Sequence, residues 1–162
     1  MAAPHGTGPG RRGRGSETAL RDWQYVHNLI IPTDELPLEV VRERAGRNVL
    51  EAAYLGDTLV GCMTVRPPAD GNATATVIAR ILPAHRGRGL GRALYERGLA
   101  QARQLGAEVI ETVVLASNPE GLTFARANGF VEFDRYVLPG DTIPFVDLRL
   151  VGRDGLPGIA TR

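Results

Sequence analysis

The spacing of apolar positions along this chain changes period several times, and each change predicts an element. After Ser16, a helix cap with Glu17 in the first turn, Leu20, Trp23, Val26, His27 and Ile30 recur at helical spacing until Pro32 ends the run. "TDELPLEVVRERA" predicts a second short helix over 33–45, with Thr33 or Asp34 as its cap and Gly46 near its end. The period then falls to two. "NVLEAAYL", the turn at Gly56 and Asp57, and "LVGCMTV" predict a β-hairpin, "PPADGN" a further turn, and "ATATVIARIL" a third strand ending at Pro83. "RALYERGLAQARQLG" returns to the helical period, with Leu90, Ala93, Leu94, Arg97, Leu99 and Ala102 along it and Gly106 as the stop. "EVIETVVLA" is a strand, "PEGLTFARAN" a short helix opened by Pro119 and closed by Gly129, and "FVEFDRYVL" with "IPFVDLRLV" an antiparallel pair. The order ααβββαβαββ predicts an α/β layered domain with a mixed sheet.

Composition adds boundaries to this pattern. With 162 residues and 43% hydrophobic content the chain can build one well-packed core. Residues 1–15 are almost wholly Gly, Pro, Arg and Ala and read as a flexible tail. The globular domain then spans 16–151, and 152–162 form a second tail. Cys62 is the one cysteine, so no disulfide can form within the chain. With no signal-like apolar core at the N-terminus and no run long enough to span a bilayer, the reading is a soluble, cytoplasmic protein without membrane contact.

Charge is unevenly spread. All 19 basic residues are Arg, which excludes a phosphate loop of the Walker type, whose Lys is part of its chemistry. Net charge is +1, yet residues 11–14 carry +3 and residues 86–103 carry +4, leaving −6 for the rest. Positive charge is thus concentrated where an anion would be held. Two stretches, "GRRGRGS" at 10–16 and "PAHRGRGLGRAL" at 83–94, share these letters, but only the second lies between a predicted strand and a predicted helix. There a glycine-rich turn aims unpaired backbone N–H groups and the positive end of the helix dipole at one point. Gly87, Gly89 and Gly91 let a phosphate approach the backbone, and Arg86, Arg88 and Arg92 add charge-assisted bonds from the rim. The third glycine of a dinucleotide fingerprint is missing, no serine stands in a nucleophile elbow, and no His, Cys or carboxylate group has metal-ligand spacing.

The segment resembles the acetyl-coenzyme A loop of the GNAT superfamily of N-acetyltransferases, in which Arg or Gln, two residues, Gly, one residue, and Gly or Ala follow one another. Arg86, Gly89 and Gly91 match it, Ile81, Leu82 and Pro83 stand where the family places its preceding aliphatic and proline positions, and Asn118, Gly129 and Phe130 match its downstream landmarks. The resemblance covers about residues 48–138. It implies a mixed, mostly antiparallel central sheet with helices on both faces, acetyl-CoA as cosubstrate, and transfer of its acetyl group to the amine of a small molecule or peptide by direct attack in a ternary complex (EC 2.3.1 class).

The same resemblance assigns residues. Strands equivalent to "ATATVIARIL" and "EVIETVVLA" splay in the family and take the pantetheine arm between them. Ile81 and Leu82 would offer it main-chain bonds, while Arg86, Gly87, Arg88, Gly89, Leu90, Gly91 and Arg92 hold the pyrophosphate. Asn118 would contact the coenzyme or a water, its other reading being the cap of the next helix. Where many relatives carry an acidic Tyr, this chain has Ala125, and the strand before the loop has no carboxylate; Glu111 on the neighbouring strand is the candidate base, its bland reading a solvated surface residue. His85, Tyr95 and Cys62 read as a loop neighbour, a packing residue and core. Relatives also begin with a strand that is absent or very short here, leaving a sheet edge exposed or covered by another chain, as in a homodimer. Two other functions compete: a coenzyme-A-binding regulatory module with little catalysis, supported by Ala125, and a nucleic-acid binder through both Arg-Gly segments, disfavoured because neither interleaves aromatics with its arginines.

Overall fold

The computed structural model describes residues 10–11, 16–69 and 71–151. The predicted tails lie outside these residues except at Gly10 and Arg11. Two compact units emerge, one of Met1–Thr64 with Ala79–Gly98, the other of Val65–Ile78 with Leu99–Arg162.

In the first unit, helix α1 (Glu17–Ile30) starts as predicted, the Ser16 hydroxyl accepting the Ala19 N–H at 3.1 Å. Its apolar stripe places Leu20, Trp23 and Val26 in a buried cluster with Leu36, Val41, Leu50 and Cys62. The Trp23 indole N–H donates to Thr64 Oγ1 at 3.1 Å, and its ring stacks on His27. The predicted second helix is corrected. A 3₁₀ turn occupies Pro32–Asp34, and α2 (Leu38–Ala45) begins only after Pro37, so neither Thr33 nor Asp34 caps it. Pro37 forces Leu36 out of the helical region, and Asn28 meets the main chain of Leu36, accepting its N–H at 2.9 Å and donating to its C=O at 3.2 Å. An extended residue there is therefore fully satisfied.

Strands β2 (Val49–Leu55) and β3 (Thr58–Arg66) join through Gly56, whose φ of 62° suits the tight turn. Alternation along β2 sends Leu50 toward α1 and Glu51 to the opposite face. A two-residue strand, β1 (Gly10–Arg11), pairs antiparallel with Tyr54 and Ala53. Gly10 and Arg11 of the expected flexible tail thus pair with β2 at Tyr54 and Ala53, and the other residues of that tail lie outside the described residues. β3 is followed in the sheet by β4 (Thr74–Ile81), giving β1-β2-β3-β4. Cys62 is 1% exposed on β3, and burial pushes its thiol up to about 12. The native protein is accordingly expected to leave a maleimide unreacted at pH 8 and to take up one equivalent on denaturation; rapid native labelling would contradict this packing.

In the second unit, the start of β4 pairs parallel with β5 (Val109–Leu115), and the strand order continues β4-β5-β7-β6. Strands β6 (Phe130–Tyr136) and β7 (Phe145–Leu150) form the predicted antiparallel pair, with β7 inserted between β5 and β6. A bulge between Glu132 and Asp134 breaks their register. Helix α3 (Leu90–Gln104) runs from the first unit into this one and ends before Gly106, at φ 97°. Helix α4 (Pro119–Ala127) packs on β5 and β6.

Candidate functional site

The glycine-rich turn belongs to the first unit and is tied at its strand end. Leu82 N–H donates to Val60 C=O at 2.8 Å, and Pro83–His85 form a 3₁₀ turn in which His85 N–H reaches Leu82 C=O at 2.9 Å. Arg86 Nε donates to Ile81 C=O at 2.8 Å. This departs from the picture of a rim arginine: the Arg86 side chain folds back to brace the end of β4. Ile81 C=O and Leu82 N–H are likewise engaged within the protein, so the main-chain groups expected to face a ligand there are reduced.

Beyond Arg86 the turn opens. Gly87 and Gly89 have φ values of 81° and 79°, and a Cβ built at either would meet no heavy atom within 4 Å. Left-handed backbone in empty space leaves room for a ligand to touch the main chain. α3 starts at Leu90, a position the helical pattern already included, and its first bond of α type is Ala93 N–H to Gly89 C=O at 3.2 Å. The N–H groups of Leu90, Gly91 and Arg92 therefore have no partner within the helix. The Leu90 side chain is core, at 5% exposure, so its part in the turn is played by the backbone. Arg88 reaches His85 at 3.3 Å, and Arg92 forms an exposed pair with Glu96 at 3.3 Å. A turn with these left-handed glycines, a helix N-terminus and arginines at its rim fits a pyrophosphate.

Sequence reasoning missed Gly61. A Cβ on it would lie 2.2 Å from Arg80 C=O and 2.9 Å from Ile81 Cδ1, so β3 approaches β4 in a way that only glycine permits. An isolated glycine in a strand was the available signal.

Glu111 and Asn118 belong to the second unit. The ladder between β4 and β5 is three rungs long, Thr74 to Val109, Ala75 to Ile110 and Thr76 to Glu111, although β4 and β5 both run further. The Glu111 carboxylate accepts from Arg149 Nη2 at 2.7 Å and Nε at 3.1 Å. Arg149 also lies over the Phe133 ring. Asn118 Oδ1 accepts Gly121 N–H at 3.0 Å and so caps α4. Gly121 is needed here, because a Cβ would come 2.6 Å from Asn118 Nδ2. Ala125 is 3% exposed on the buried face of α4, and Tyr95 is also buried.

One further feature of this unit emerged only from the structure. Tyr136 bonds Asp147 and stacks on Phe145 at 5.9 Å. Burial pushes the Asp147 carboxyl above its ordinary range; the Tyr136 bond opposes this, and the negative charges of Glu111 and Asp134 add to it. A raised carboxyl costs stability where it is ionised, and that cost fades as pH falls through the raised value and is gone below about 3.9. Asp147→Asn is therefore expected to raise Tm at pH 7, the gain vanishing in acid. A Tm gain that persists at pH 3 would contradict this origin.

Among the described residues, no helix is long and apolar enough to cross a membrane, and no group of three or more His, Cys, Asp or Glu could hold a metal.

No curated protein matches the sequence. Solved structures do match the fold. YncA from Salmonella typhimurium, solved with its cofactor acetyl-CoA, is 18% identical with a TM-score of 0.66, over 92% of this chain and 97% of that one. NAA60 from Arabidopsis thaliana in complex with a bisubstrate analogue is 16% identical with a TM-score of 0.68, over 87% and 96%. A point mutant of the spermidine N-acetyltransferase SpeG from Vibrio cholerae is 18% identical with a TM-score of 0.63, over 88% and 94%. The model of the acetyltransferase (GNAT) family matches residues 13–130, which include the turn, Glu111, Asn118 and the Gly129-Phe130 pair. With its sheet order, its glycine turn and this match in agreement, the chain belongs to the GNAT acetyltransferase family.

Proposed function

We propose that the protein acetylates an amine of a small molecule or peptide by direct attack on acetyl-CoA, the family's acetyl donor, in a ternary complex. The observation that carries this reading is the turn itself, in which Gly87 and Gly89 have positive φ and open space at the Cβ position, and from which α3 starts at Leu90. In the proposal the backbone N–H groups at the start of α3 hold the pyrophosphate, with Arg88 and Arg92 adding charge at the rim. The family resemblance puts the pantetheine arm along β4, with main-chain bonds at Ile81 and Leu82. When bound, acetyl-CoA supplies an activated thioester whose thiol is a capable leaving group.

The amine nitrogen bonds to the acetyl carbon as the carbon–sulfur bond breaks, and the coenzyme departs as a thiolate. A β4 backbone N–H polarises the carbonyl oxygen. Positioning does much of the work, because a neutral amine already attacks thioesters. The resemblance offers Glu111, which pairs with Arg149, as the acceptor of the amine's proton, and Asn118, whose Oδ1 caps α4, as a contact to the coenzyme or to a water. With Ala125 in place of the usual Tyr, the thiolate leaves without a protein acid and takes its proton from solvent. A Glu111→Gln variant with the kcat of the wild type would remove Glu111 from this role.

The experiment uses the full chain. Acetyl-CoA is expected to raise Tm, and an amine panel to release free thiol in proportion to acetylated product. Stabilisation without turnover on any amine would favour a coenzyme-A-binding module, the second reading, which the buried Ala125 supports. Salt-sensitive RNA binding with no effect of the coenzyme would overturn both.

A further inference from the structure

Two charges stand at positions where the pattern calls for apolar residues, and they meet. Glu51 lies in an apolar strand on the face of β2 turned away from α1, its side chain 2% exposed. Arg97 follows Leu90 and Leu94 along α3, its side chain 37% exposed, and its Nε donates to Glu51 Oε1 at 3.0 Å. Withdrawing a carboxylate from water costs more than an exposed ion pair returns, so a pair in this place is a poor choice for stability alone. What it provides is direction. The packing of the buried Leu90 and Leu94 is non-directional, whereas a charged donor on a buried carboxylate adds a directional contact that favours one helix position.

That position matters at the other end of the same helix. α3 emerges straight from a turn in which Gly87 and Gly89 carry no side chains, so its first anchor is the buried Leu90, and its exposed Arg92–Glu96 pair adds little. The turn is braced on its strand side by Arg86 on Ile81 C=O, and Arg97 sits only about two turns along the helix from its start. We propose that the Glu51–Arg97 pair is a positioning device that sets the axial register of α3 and so aims the N–H groups of Leu90, Gly91 and Arg92 at the coenzyme's phosphates. The inference rests on reading the turn as the pyrophosphate grip.

The test compares the wild type with Glu51→Leu/Arg97→Met, an apolar pair that removes the charges without leaving the Glu51 carboxylate buried alone. Coenzyme A binding by calorimetry is the primary readout, alongside Tm and kinetics with acetyl-CoA and with acetyl-pantetheine, which lacks phosphates. The expected result is a Tm near that of the wild type, a Kd for coenzyme A raised about tenfold, KM for acetyl-CoA raised with kcat nearly unchanged, and no loss with acetyl-pantetheine. Wild-type coenzyme A affinity in this stable variant would overturn the proposal. If the double variant fails to fold, Arg97→Lys, which keeps the charge but moves the donor, decides it: a weaker Kd at unchanged Tm supports the proposal and an unchanged Kd overturns it. A wild type that binds no coenzyme A would instead overturn the reading of the turn, and this inference with it.

Discussion

Gly61→Ala is expected to lose about 3 kcal/mol of stability, the upper end of what overpacking a filled site costs. In a protein of this size that is a fall in Tm of about 10 °C. The cost is steric. The new methyl would lie 2.2 Å from the carbonyl oxygen of Arg80, and that atom belongs to the backbone of β4 and cannot rotate away. Relief requires the strand to move, and the bond from Leu82 N–H to Val60 C=O resists it. The same movement would disturb Ile81 C=O and the Arg86 brace on it, so coenzyme affinity is expected to fall along with stability. Thermal unfolding of the purified variant decides the matter; a Tm within about 2 °C of the wild type would show that β3 and β4 do not approach this closely.

Gly89→Val should act in the opposite proportion, sparing the fold and damaging the ligand site. No heavy atom lies within 4 Å of the new Cβ, so nothing clashes, and the cost to folding is the strain of a β-branched residue at φ 79°, about 1–2 kcal/mol. The side chain would instead fill the space above the N–H groups that open α3. We expect the Kd for acetyl-CoA to rise at least thirtyfold, about 2 kcal/mol of binding energy. Gly56→Val is the matched control, with a similar positive φ of 62° and open space, but at the β2–β3 turn. It should pay the strain and keep the affinity. Equal affinity losses in both variants, or none in Gly89→Val, would remove the turn from coenzyme binding.

The two glycines differ in how readily the sequence reveals them. Gly89 sits in a run of Arg and Gly between a β-branched strand and an amphipathic helix, and that local setting is enough to mark an anion site. Gly61 sits in "LVGCMTV", where nothing nearby in the chain signals that a carbonyl from residue 80 will press against it. Asn118 shows a third situation. Its place before Pro119 predicted the helix cap that is found, while its second role depends on groups remote in sequence.

Periodicity and turn chemistry alone placed α1, the β2–β3 hairpin, β4, β5, α4 and the last two strands, because those signals repeat every two to four residues and are settled by neighbours along the chain. The Arg-Gly turn and the family landmarks were legible for the same reason. Tertiary structure alone decided that Pro37 rather than Asp34 opens α2, that Gly10–Arg11 pairs with β2, and that β7 inserts between β5 and β6. It also joined Glu51 to Arg97 and Tyr136 to Asp147. Each of these is a choice among partners distant in sequence, governed by burial and by the need to pair polar groups removed from water, and a local pattern carries no information about which distant group will be there.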